Sequence, residues 1–162
     1  RQIGLVRDPY NFGTTTISTA TTLRAVKAIK LASGAGTFQA DEKITQATTG
    51  AIGKVVEYDS TNRILYYQQE KFADFGVASD GDKIAFSGTN TITGATSSAT
   101  GAPDDGADSA VSLTGGNTIT FTNGFANEEI EPDSGDLMYF ETRRPISRAT
   151  DQTEDIKLII EF

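Results

Sequence analysis

The amino-acid sequence predicts a mainly β protein of antiparallel sheets and hairpins, with a small β-sandwich or barrel-like module inserted into a framing sheet. Three observations carry that expectation. Apolar and polar residues alternate in several short runs: Ile156, Leu158, Ile160 and Phe162 share one side, and Lys157, Ile159 and Glu161 the other. That period of two is what a half-buried strand requires. Clusters of Gly, Asn, Asp, Ser and Thr interrupt the chain roughly every 8 to 12 residues, a spacing typical of linked short strands. No long stretch keeps a helical period.

Taken in order, residues 1–8 read as a strand ended by Asp8-Pro9. The chain opens on Arg1 inside an alternating run (Ile3, Leu5), which reads as a fragment of a longer protein cut just before a strand. Residues 11–22 are threonine-rich and β-leaning. Residues 23–32 fit two periods, because Leu23, Val26, Ile29 and Ala32 step by three while Leu23, Ala25, Lys27, Ile29 and Leu31 alternate. The flanking threonines and Gly34-Ala35-Gly36 favour the strand. A further strand is expected at Phe38, leading through Ile44-Thr45 to a small-residue turn over 48–53. Val55-Val56 and Ile64–Tyr67 flank Asp59-Ser60-Thr61-Asn62, which is turn chemistry between two apolar runs and predicts a hairpin.

Ser79–Asp82 marks another turn, followed by a strand over Lys83–Phe86. Tyr66, Tyr67, Phe72 and Phe75 are expected to fill a sheet's inner face. Residues 87–106 are almost wholly Ser, Thr, Gly, Ala, Asn and Asp, a composition that predicts a long flexible loop. Val111–Leu113 and Ile119–Phe121 form a second hairpin across the turn at 114–117. Glu128–Asp136 is an acidic connector containing Pro132. It leads into a strand over Leu137–Thr142 that stops at Arg143-Arg144-Pro145, since proline cannot donate to a ladder.

The chain has 162 residues, enough for one domain with or without a small insert and for a core that needs no metal or disulfide. It contains neither cysteine nor histidine. That removes disulfides, thiolate nucleophiles, His/Cys zinc sites and the usual neutral-pH acid–base group. No apolar run approaches the ~20 residues needed to span a bilayer as a helix. The net charge of −8 is uneven: residues 1–72 carry nine basic and six acidic residues, and 73–162 five basic and sixteen acidic. Such a balance argues against nucleic-acid binding, which rests on cations that neutralise phosphates.

Several motifs are weak on inspection. Asp74-Phe75-Gly76 spells a kinase magnesium triplet without any other kinase element. Asp104–Ser109 lacks the alternating ligands and twelfth-position glutamate of a calcium loop. Glu128, Glu129, Glu131, Asp133 and Asp136 are clustered carboxylates, but proximity in sequence does not set the separation that glycoside hydrolysis needs, and no tryptophan platform accompanies them. No catalytic residue, metal ligand or cofactor site is expected. Arg143, Arg144 and Arg148 form the one cationic cluster of the acidic half, beside Glu141, Asp151 and Glu154. These six are the expected interface, because arginine forks dock carboxylates in bidentate fashion, the alternative being that the arginines pair with those carboxylates within the chain.

The series Gly135, Tyr139, Glu141, Arg143, Pro145-Ile146, Ala149, Asp151-Gln152-Thr153-Glu154 and Ile156, closing on Phe162, resembles the C-terminus of a phage family. That family is the baseplate wedge protein of T-even-type contractile-tailed phages, gene product eight. Arg1-Gln2-Ile3 running into Asp8-Pro9 resembles the family segment that precedes this terminus. The resemblance divides the chain into a framing β region at 1–12 and 128–162 and an inserted β-rich module at 13–127. Gly36–Tyr67 is itself similar to a glycine-punctuated β module of large tailed-phage virion proteins, with Ala40 where that module often has glycine. The family implies a structural, non-enzymatic wedge subunit of the virion's tail baseplate, made in the host cytoplasm. Its implied partners are a second copy of itself and other wedge proteins, with no nucleic acid and no membrane. The competing expectation, from the Thr/Gly-rich segments, is a carbohydrate-binding or adhesive β module on the phage surface.

Overall fold

A computed structural model describes residues 2–70, 76–106, 108–114 and 116–142. Its strands in chain order are β1 (Gln2–Arg7), β2 (Lys27–Ala35), β3 (Lys43–Gln46), β4 (Ala51–Asp59), β5 (Ile64–Gln68), β6 (Ile92–Gly94), β7 (Thr100–Pro103), β8 (Ser109–Ser112), β9 (Thr118–Phe121), β10 (Phe125–Ala126) and β11 (Asp136–Thr142). Every pairing among them is antiparallel, so the mainly β expectation holds.

The centre is a closed barrel. Six strands run in the order β2-β5-β4-β3-β6-β7, and β7 returns to pair with β2. Closure depends on the length of β2. Its first half pairs with β5 (Ala28↔Tyr66, Ile29↔Leu65), and its second half pairs with β7 (Gly34↔Gly101, Ala35↔Thr100). The short β10 lies beside β2 at Ala28 and Ile29. Closing the sheet satisfies ladder groups that an open edge would leave unpaired.

Alternation along the strands decides what fills the barrel. Ile29, Leu31, Ile44, Val55, Leu65, Tyr67 and Ile92 form one buried cluster, joined by Phe38 and Phe86 from connecting segments. The Phe86 ring meets Tyr67 edge-on at 5.0 Å. Gly53 makes room for that pair, since a Cβ there would lie 3.1 Å from the Tyr67 ring and 3.2 Å from Phe86. The outward face of β2 and β5 is covered too. Ala28 and Ile64 pack with Ile119 and Phe121, and Tyr66, Val111 and Leu113 close over them. The β8–β9 hairpin thus buries β5 on its second face, which is why Ile64-Leu65-Tyr66-Tyr67 is continuously apolar rather than alternating.

The segment 87–106 corrects the sequence reading. It is not a flexible loop: it supplies β6 and β7, and Ile92, Ala99 and Pro103 are buried. Its glycines and alanines permit close strand approach instead of lowering order. At Gly94 a Cβ would lie 2.7 Å from the Glu42 carboxylate. Three smaller expectations also change. Phe38 is outside any strand, its ring buried edge-on against Tyr58 at 5.3 Å. Lys83–Phe86 makes a single bridge, Val77↔Lys83, not a strand. Residues 11–22 form turns closed by Tyr10↔Ile17. Phe72 and Phe75 lie outside the described residues.

Two polar side chains hold the connections. Gln46 is fully buried: its amide nitrogen donates to the Asn90 carbonyl at 2.8 Å, and its oxygen accepts from Ser87 N–H at 3.0 Å and the Thr49 hydroxyl at 2.9 Å. Glu42 is buried with no ion pair among the described residues. Its carboxylate accepts from the Gln39, Thr96 and Ser97 N–H groups and from the Ser97 hydroxyl, at 2.7 to 3.0 Å. Burial pushes that carboxyl up, but the four bonds outweigh it and hold the group below its usual range.

Candidate interaction surfaces

β1 and β11 form a separate two-stranded sheet from opposite ends of the described chain. Their register runs from Gln2↔Thr142 to Arg7↔Asp136, with a bulge between Leu5 and Val6. The Arg7 guanidinium donates to Asp136 at 2.8 Å, which pins the base of the ribbon. That contact raises the Arg7 pKa, through the hydrogen bond first and the charge of Asp136 second. Below the base, Tyr10 N–H donates to the Ser134 hydroxyl at 3.0 Å, and Gly13 N–H to the Glu131 carboxylate at 2.7 Å.

Leu137, Met138, Tyr139 and Phe140 are consecutive on β11, and each is between 46% and 62% exposed. Successive strand residues point to opposite faces, so both faces of the ribbon carry partly exposed apolar residues. Ile3 and Val6 of β1 are exposed beside them. Among the described residues no third strand joins this sheet. A lone two-stranded ribbon is marginal in water, and exposed apolar residues gathered on one element make it a candidate interaction surface.

The predicted interface falls partly on this ribbon. Glu141 lies on β11, where its carboxylate accepts from the Tyr139 hydroxyl at 3.2 Å. Arg143, Arg144, Arg148, Asp151 and Glu154 lie outside the described residues. The acidic connector spends several carboxylates on the chain itself. Glu129 accepts from Arg24 N–H at 3.0 Å, Glu131 from Gly13, and Asp136 from Arg7. Sequence reasoning passed over Met138 and Phe140 as contact residues, because exposure on both faces cannot be read from alternation alone.

No family model, curated protein or solved structure matches this chain. Among the described residues no group of His, Cys, Asp or Glu is arranged to hold a metal ion, and no helix is long and apolar enough to cross a membrane.

A second surface lies on the barrel wall. An open groove of about 400 Å³ runs between β4–β5 and the turn after β8. Arg24 flanks it, and its buried Nε has no hydrogen-bond partner among the described residues. The guanidinium donates to the carbonyls of Val26 and Asn127 and sits 3.7 Å from Glu129. Burial lowers the Arg24 pKa, and Glu129 opposes that effect.

Proposed function

We propose that this chain is a structural, non-enzymatic component of a contractile phage tail baseplate, a wedge subunit that acts through protein–protein contacts in virion assembly. The observation that supports this reading is the exposed apolar residues of the β1–β11 ribbon. The ribbon is built from the two segments whose wording resembles the wedge protein, and Glu141 of the expected interface sits on it. In this reading residues 1–12 and 128–162 frame an inserted module over 13–127. The barrel lends rigidity, and the ribbon makes contacts with a second copy and with neighbouring wedge proteins.

Two measurements test it. Immunogold labelling of intact virions with an antibody to this chain should place gold at the distal plate of the tail; gold on fibres or capsid would refute the wedge role. Sedimentation of the purified chain should show a species larger than the monomer that Leu137→Ser/Phe140→Ser converts to monomer. A wild-type chain that stays monomeric at the highest soluble concentration would remove self-association from the reading.

A further inference from the structure

The groove on the barrel wall owes its shape to one irregularity. In the β4–β5 ladder Val55 pairs with Tyr67 and Glu57 with Tyr66, which leaves Val56 as the extra residue of a β-bulge. Val55 and Tyr67 face the barrel interior, so Glu57 and Tyr66 face out, and the bulge turns Val56 outward as well. Two neighbouring residues that regular pleating would separate therefore line one groove. Bulges commonly re-aim side chains at functional surfaces. Leu113 and Thr114, from the turn after β8, also line the groove.

The groove's charge is uneven. Glu57 makes no hydrogen bond or ion pair among the described residues. Asp59 accepts from the Thr61 and Asn62 N–H groups and the Asn62 amide at 2.7 to 3.0 Å, which anchors its turn and holds it ionised. Arg24 is balanced by Glu129 and bonded to carbonyls. The Tyr66 pKa is raised by burial first and then by Asp59, with Glu57 and Glu129 adding and Arg24 opposing. Glu57, a carboxylate with no ion pair among the described residues, thus shares the groove with an aromatic ring and the aliphatic side chains of Val56 and Leu113.

We propose that this groove seats an arginine side chain of a neighbouring protein, with its stem between Val56 and Leu113, its guanidinium against Tyr66 and its charge on Glu57. An arginine stem covers apolar surface while its head reaches a carboxylate. Its planar fork also stacks on aromatic faces and matches carboxylate geometry better than a lysine ammonium. The inference rests on the reading of this chain as an assembly component, but the groove lies on the barrel and not on the ribbon.

The test uses the isolated chain and so does not depend on assembly. N-acetyl-arginine amide is titrated into ¹⁵N-labelled protein at low ionic strength, with N-acetyl-glutamine amide and maltose as separate probes. The expected result is a saturable shift at the amides of Val56, Glu57, Tyr66 and Leu113 with the arginine probe alone. Glu57→Gln, an exposed change, should keep the spectrum dispersed and weaken that binding at least about threefold. An arginine response that fails to saturate, or that survives Glu57→Gln unchanged, overturns the proposal. A stronger response to maltose would overturn it in favour of a neutral saccharide.

Discussion

Gly4 stands directly opposite Phe140 in the β1–β11 ladder. The ring therefore has no side chain directly across the ladder, and Phe140 is 56% exposed. Cross-strand pairs are the usual source of sheet stability, so this position contributes little to folding and presents its apolar area outward. Phe140→Ser is expected to shift the melting temperature of the isolated chain by no more than about 2 °C, as surface changes generally cost under ~0.5 kcal/mol. The same change should weaken self-association in sedimentation. A large loss of thermal stability would mean that the ring packs within the chain instead.

Glu42 is a different case, a buried carboxylate held by four donors, with no ion pair among the described residues. Glu42→Gln places an amide NH₂ where only acceptors are satisfied. It is expected to cost about 2–4 kcal/mol, lowering the melting temperature by roughly 5–12 °C for a domain of this size. Thermal circular dichroism checks this.

The pH dependence follows from the direction of the Glu42 shift. Its folded-state pKa lies below the ordinary 4.5. The stability it contributes is present above that ordinary value and is lost as pH falls through the folded one. Acid titration of the wild type should therefore show a fall in stability below pH 4.5, and Glu42→Gln should flatten that part of the curve. Parallel curves for the two proteins would assign acid unfolding to other carboxylates.

Gly53 faces the Tyr67–Phe86 pair inside the barrel. Gly53→Ala is expected to destabilise by about 1–3 kcal/mol, because the added methyl crowds two rings in a closed interior. Chemical denaturation should show a lower midpoint with an unchanged slope.

Asp59 caps the β4–β5 turn through three hydrogen bonds. Asp59→Ala should cost about 1 kcal/mol and leave the strand register intact, since the flanking Val55/Tyr67 and Tyr58/Leu65 pairs are set by burial. Amide exchange should quicken at Thr61 and Asn62 while Leu65 stays protected.

Local reasoning succeeded where an element's evidence is local. Asp59–Asn62 between two apolar runs marks a hairpin in any context, and Val111–Leu113 with Ile119–Phe121 is the same case. It failed at 87–106, where composition suggested disorder. Ile92 and Ala99 are few, but each is buried, and the surrounding glycines and alanines fit a narrow barrel that only the other strands create. The ribbon residues were half legible. Leu137–Thr142 reads as a strand from its pattern, but its partner is Gln2–Arg7, at the far end of the described chain.

The sequence by itself determined that this chain is antiparallel β, where its hairpins turn, and that cysteine and histidine chemistry is absent. Those properties depend on neighbouring residues, side-chain period and composition. Only the tertiary structure decided that the sheet closes through β2, that Val56 and Glu57 share one groove, and that Leu137–Phe140 are all exposed. Each of those depends on which distant strand arrives alongside, because burial and exposure belong to the packed surface and not to the residue.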